Sequence, residues 1–212
     1  MLSLNRIMDL HRETNKFKAW AKIYPGVKSG EWECDYGNWD EYYEACIHLI
    51  KNKAPKSLTE LEKTDLIYAI ARDNEQEHLI DKVSENETLL FSLCEASFEL
   101  SENDAKWQFA SRLGEVQNDV RYAEKLLLKL INDADEYVSR RALLALSRLG
   151  SSQTEKYCIK AWGTNHEYQR IAVLSCLKTI ESKMLSEYLD KAYKDGRKYL
   201  VAKARKIETE MG

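Results

Sequence analysis

The chain has 212 residues, 44% hydrophobic and 32% charged, enough for one large domain or a short repeat array with much surface. Two prolines and eight glycines are too few for the turn chemistry of an all-β fold, and five scattered cysteines without a C-x-x-C pair do not make a disulfide scaffold; no run of about 18 apolar residues is present to span a membrane. The net charge of −3 is uneven: residues 1–100 carry 12 Lys and Arg against 19 Asp and Glu, and residues 101–212 carry 20 against 16, so the first half is acidic and the second basic.

Apolar residues recur at helical spacing almost throughout. The opening Met1-Leu2-Ser3-Leu4-Asn5-Arg6 runs straight into an amphipathic pattern, without the apolar stretch and small-residue cleavage site of a signal peptide. Cys158 and Cys176 fall at apolar helix positions, where a free thiol behaves as a small hydrophobe, so a reducing cytoplasm is the expected location. Helices are predicted over 3–22, 39–52, 58–73, 75–83, 87–100, 103–113, 118–131, 135–149, 153–162, 166–180, 183–193 and 197–211. Between the first two, residues 25–38 form the one long irregular stretch, holding Pro25 and three of the eight glycines. His48 lies on the apolar face of the second helix and is expected in the core. Asp133, Asp135 and Asn165 are suited to N-caps, and Gly150 to a helix C-terminus.

An internal repeat organises the second half. A shift of 31 residues places Tyr157 on Tyr188, Lys160 on Lys191, Ala161 on Ala192 and Trp162 on Tyr193. The same shift maps Tyr137 onto Tyr168 and Tyr199, Leu143 onto Leu174, Ala145 onto Cys176 and Leu146 onto Leu177. Further upstream, Ser111-Arg112-Leu113-Gly114 echoes Ser147-Arg148-Leu149-Gly150 at a shift of 36. Each unit is a helix, a short turn and a second helix. In the clearest one, Val120, Ala123, Leu126, Leu127 and Leu130 form one apolar stripe, and Val138, Ala142, Ala145, Leu146 and Leu149 form the other. One hairpin cannot bury both stripes, whereas stacked neighbours can.

The run from Asp135 to Leu146 (Asp-Glu-Tyr-Val-Ser-Arg-Arg-Ala-Leu-Leu-Ala-Leu) resembles the second helix of a HEAT repeat, which opens with Asp, continues with Val and then Arg, and reaches Ala and Ala-Leu a turn later. Ser139 stands where the Arg usually follows Val. The resemblance is good over 117–211 and weaker over 84–114. It implies an all-α fold, an α-solenoid of stacked antiparallel helix pairs. The expected organisation is an N-terminal helical region, residues 1–83, carrying the irregular loop, followed by one continuous array over 84–212.

Two constellations stand out as candidate binding residues. The segment Gly30–Glu44 packs two Trp, three Tyr and six carboxylates into fifteen residues. Trp39 and Tyr43 are expected in the apolar stripe of the helix they open, which leaves Trp32, Asp35 and Tyr36 in the loop as a contact for a basic protein. On the second helices of the repeats, Arg140, Arg141, Arg170, Lys203 and Lys206 form a basic set suited to an acidic partner or a phosphate backbone, or else to ion pairs with Glu136 and Glu167. Tyr137, Tyr168 and Tyr199 make a ladder at the repeat period, expected to be inter-repeat packing rather than a platform for bases.

Catalytic signals are sparse. His11, His48, His78 and His166 have no metal-ligand context, no nucleophile or phosphate-loop motif occurs, and no cofactor or metal is expected. The resemblance implies a non-enzymatic interaction protein of bacterial type, an adaptor or an inhibitor such as an immunity protein, whose partner is a protein, with nucleic acid less favoured. The rival is a DNA glycosylase that excises alkylated bases. One branch of small HEAT-like proteins does so, and the run Tyr137–Ala142 resembles an arginine-bearing helix of that branch. Such chemistry needs a carboxylate beside aromatic walls, for which Asp104 and Trp107 are the nearest local pair.

Overall fold

The computed structural model describes residues 9–28 and 30–211. Among them are twelve α-helices, two short 3-10 turns and no strand, and no helix is long and apolar enough to cross a membrane. The part of the first predicted helix before Asp9 lies outside the described residues.

The chain divides into two compact units between Phe109 and Ala110. The first unit contains α1 (Leu10–Ile23), α2 (Trp39–Asn52), α3 (Glu60–Arg72), α4 (His78–Ser84) and α5 (Glu87–Ser97). The division falls inside α6 (Asn103–Leu113). In this unit α1, α3 and α5 pack side by side as one layer, with α2 and α4 against them as the other. Starts are set by side-chain caps, which satisfy amide groups that have no partner in the first turn. Asp9 accepts from Arg12 N, Asn86 from Leu89 N, and Thr59 with Glu62 forms a reciprocal capping box. Leu66, Ile67, Ile70, Leu79, Ile80 and Leu93 are fully buried. His48 is exposed, not in the core: its neighbours on the helix face, Ala45 and Cys46, take the buried places.

The second unit contains α7 (Val120–Leu130), α8 (Glu136–Arg148), α9 (Thr154–Gly163), α10 (Glu167–Thr179), α11 (Leu185–Asp195) and α12 (Lys198–Met211). The second helices of the three pairs, α8, α10 and α12, pack directly on one another, and α7, α9 and α11 pack against that layer. Ala145 and Cys176 are both fully buried, so the 31-residue register places equivalent residues in equivalent sites. The core joins Leu143, Cys158, Val173, Leu177, Tyr188, Leu200 and Ile207 across three pairs, as expected where no single hairpin can cover its own apolar stripe.

The register extends to the hydrogen bonds. After α8, Gly150 takes a left-handed conformation (φ 66°) and Ser151 N donates to Leu146 O. After α10, Glu181 does the same (φ 51°), with Ser182 N donating to Leu177 O. The two serine hydroxyls then donate to carboxylates one repeat apart, Ser151 to Glu124 and Ser182 to Glu155, and accept from Gln153 N and Met184 N respectively. Asp135 caps α8 by accepting from Val138 N at 3.0 Å. Asn165, in contrast, is not the cap of α10: it sits at φ 61°, where the next repeat has Gly196 at φ 78°, and His166 holds the cap position. Asn is among the few residues that take this backbone state readily, and the side-chain oxygen that makes it resemble an N-cap in sequence accepts from Arg197 instead.

Candidate functional site

The loop between α1 and α2 folds back onto α1. Phe17, fully buried, is the centre of an aromatic cluster: its ring meets those of Trp20, Trp32, Tyr36, Trp39, Tyr42 and Tyr68 at centroid distances between 4.7 and 6.2 Å. Trp32 opens a 3-10 turn and lies stacked on Trp20, centroids 5.4 Å apart and planes 5° from parallel, with the Lys28 ammonium over its ring. The Tyr24 hydroxyl donates to Asp35 at 2.5 Å and ties the loop down. Of the three loop residues expected at a contact, Trp32 is half-buried, Tyr36 is buried at 5% exposure beneath the loop, and Asp35 alone is exposed. Tyr36 therefore presents no ring to a partner. Burying aromatic area next to Phe17 gains more than leaving it in water.

The three arginines of the basic set are likewise engaged. Arg140 pairs with Glu136 at 2.8 Å, one helical turn away. Arg141 donates from Nε to Ser111 Oγ at 2.9 Å. Arg170 pairs with Asp195, donates to Trp162 O and lies over the Trp162 ring, leaving 17% of its side chain exposed. Arg197 adds two further bonds to Asp195, at 2.6 and 2.7 Å, and with Arg170 holds that carboxyl well below the usual carboxylate range. Of these contacts only Arg140–Glu136 is one that the ion-pair alternative names, and it lies within one helix; Arg141 and Arg170 reach to neighbouring repeats, to Ser111 and Asp195.

The tyrosine ladder departs from expectation. Tyr137, Tyr168 and Tyr199 are exposed at 37%, 51% and 58%, so they are not inter-repeat packing. They open α8, α10 and α12 at one phase and form a row along one edge of the second unit. The Arg140 guanidinium lies over both Tyr137 and Tyr168, 4.7 and 5.3 Å from the ring centres, His166 sits 5.9 Å from Tyr168, and the Lys198 ammonium is over Tyr199.

A cavity of about 200 Å³ in the first unit is lined by Glu33, Cys34, Trp39, Tyr43 and the segment 72–76. Trp39 and Tyr43, four residues apart on α2, stack with centroids 5.1 Å apart and form its aromatic wall. Both are half-buried, while Tyr42 and Cys46 take the fully buried places on α2. The Trp39 indole donates to Glu33 O at 2.7 Å, which fixes the loop to the helix. Asp73 accepts from the Tyr43 hydroxyl and from Leu79 N. Burial pushes the carboxyls of Glu33 and Asp73 up, and burial with the Asp73 bond pushes the Tyr43 phenol up. This pocket is not legible in the sequence: the spacing of Trp39 and Tyr43 is visible there, but their partners at 72–76 arrive only through the packing of the first unit.

Trp107 and Asp104 make no such pocket. Trp107 is 7% exposed and its indole donates to the Asp104 carboxylate at 3.2 Å. Among the described residues no group of three or more His, Cys, Asp or Glu is placed to hold a metal ion.

Residues 123–206 match the family model for HEAT repeats. No match was found among the curated proteins or the solved structures.

Proposed function

We propose that this chain is a non-enzymatic protein-binding module, an adaptor or an inhibitor of the immunity type, and that its contact surface includes the edge carrying Tyr137, Tyr168 and Tyr199. The observation that carries this reading is the exposure of all three rings at one phase of the repeat. Core packing accounts for the rest of the repeat pattern, yet at this position three large aromatic side chains are kept in water. Tyrosine supplies contact area at low entropy cost, and Arg140 beside two of the rings adds fixed donors for partner carboxylates or carbonyls. The acidic first hundred residues favour a basic partner surface through longer-range steering. In the loop that surface meets Asp35 and the exposed Glu31 rather than Trp32 and Tyr36, whose rings are spent on the aromatic cluster.

Two facts weigh against nucleic acid. The ring faces of Tyr137 and Tyr168 already carry the Arg140 guanidinium, where a stacked base would need them open. The carboxylate-and-aromatic cavity is lined by Glu33, Asp73 and Glu75 against Arg72, which is paired with Glu102, a setting that repels phosphates.

The test is capture from a lysate of the native host on immobilised wild type and on a Tyr137→Ala, Tyr168→Ala, Tyr199→Ala triple variant. The triple variant is expected to keep its melting temperature within a few degrees and to lose the captured protein. Undiminished capture would remove the ladder from the contact. A parallel titration with labelled single-stranded and duplex DNA is expected to show no tight complex; salt-sensitive binding abolished by the triple variant would reassign the ladder to nucleic acid.

A further inference from the structure

The geometry points to a second, independent site in the first unit: the cavity walled by Trp39, Tyr43, Glu33 and Asn74 binds a small alkylammonium ion. The inference does not rest on the tyrosine ladder or on any protein partner.

The walls select charge and size together. Trp39 and Tyr43 line the space as a stacked pair, with Trp39 also stacked on Tyr42, so the ring face left to attract an organic cation is the one that Tyr43 turns away from Trp39. Three carboxylates, those of Glu33, Asp73 and Glu75, line the same space against a single guanidinium, Arg72. Arg72 is already neutralised, paired with Glu102 at 2.6 Å and lying over the Tyr68 ring. Asp73 has both oxygens occupied and contributes its field alone.

Glu33 and Asn74 are different. Glu33 is only 5% exposed, and its Oε2 has no protein partner among the described residues. Asn74 Oδ1 is also buried without one. A carboxylate oxygen and an amide oxygen left unmatched in a buried wall cost free energy unless something donates to them. Both are acceptors, so the missing partner is a donor, and beside an aromatic wall the donor that fits is an ammonium. Arg72 Nε, an unpartnered donor on the same wall, is left for an oxygen carried by the same ligand. At about 200 Å³ the cavity is smaller than the roughly 300–1,000 Å³ of drug-sized pockets, so it takes a head group rather than an extended molecule.

2-Aminoethanol, a primary ammonium at neutral pH, and its uncharged analogue ethane-1,2-diol, titrated calorimetrically and by the NMR shift of the Trp39 indole N–H, test the assignment on the wild-type chain. The ammonium is expected to bind and to move that resonance, with the diol about tenfold weaker or more, as a charge-assisted hydrogen bond to a buried carboxylate requires. Equal affinity for both would mean a polar hollow with no cation selectivity and would overturn the proposal, as would no binding of the ammonium up to about 10 mM. Glu33→Gln keeps the shape and removes the charge, and is expected to weaken the ammonium at least several-fold while leaving the circular dichroism spectrum unchanged. Unchanged affinity in that variant also overturns it. An Nα-acetyl-lysine methylamide arm separates the two sources of such a head group: binding tighter than 2-aminoethanol identifies a lysine side chain, weaker binding a free amine.

Discussion

Replacing Gly114 with alanine tests the packing of the second unit at its tightest point. A Cβ built on Gly114 would lie 2.9 Å from both Cα and Cβ of Ala145 and 3.1 Å from Arg148 Nε. Ala145 Cα belongs to the middle of α8 and cannot rotate away as a flexible side chain could. Ordinary carbon contacts are about 3.5–4.0 Å, so α8 would have to retreat by roughly 0.6–1 Å. That retreat strains the bonds holding α8 to the end of α6, Arg148 Nη2 to Ser111 O at 3.1 Å and Arg141 Nε to Ser111 Oγ at 2.9 Å. Overpacking of this kind costs about 1–3 kcal/mol, which for a chain of this length lowers Tm by roughly 4–8 °C at the middle of the range. Where nothing is struck, the same exchange stabilises by about 0.4–1 kcal/mol, because alanine has fewer unfolded states to lose. Gly163, the last residue of α9 with open space around it, is the matched control. Urea unfolding followed by circular dichroism should give a lowered midpoint for Gly114→Ala and an equal or raised one for Gly163→Ala. A raised midpoint for Gly114→Ala would refute the close approach of α6 and α8.

Three further outcomes follow from the geometry. Glu181→Gly should raise stability by up to about 1 kcal/mol, since a side chain in the left-handed region costs roughly that much, and Gly150→Glu at the equivalent turn should lower it; thermal melts of both variants check the opposite signs. Asp195 is held by Arg197 and Arg170 with its carboxyl depressed, so its contribution is present above the unfolded carboxylate range and is lost as pH falls through the folded value. The stability gap between wild type and Asp195→Asn should therefore be full near neutral pH and close in strong acid, and a gap independent of pH would contradict the ion-pair account. Trp32→Ala should cost about 2 kcal/mol by removing the stack on Trp20, and combined with Asp35→Asn it should also weaken a captured partner; unchanged affinity with a lowered melting temperature would mean the loop is only a lid on the aromatic cluster.

Helix positions were legible in the sequence because each is set by local chemistry. The apolar period names the helix, and Asp135 marks where the first amides of α8 find a partner. The 31-residue shift was enough to pair Ala145 with Cys176, since equivalent residues in stacked units must fill equivalent space. What the shift cannot supply is the direction in which a shared phase points. Val138, Gln169 and Leu200 are buried, while Tyr137, Tyr168 and Tyr199, one residue earlier, are exposed; one step turns a side chain by about 100° around the helix, and only the position of the neighbouring helices decides which step faces inward. The same limit applies to the first unit. Aromatic and acidic residues were visibly dense in residues 30–44, but Phe17 decides that Trp32 and Tyr36 turn inward, and the approach of Asp73 and Asn74 decides that Trp39 and Tyr43 wall a cavity. Those contacts join residues 15 to 35 positions apart, and a solvent-driven collapse chooses among such pairings by total buried area, a quantity no local window of sequence contains.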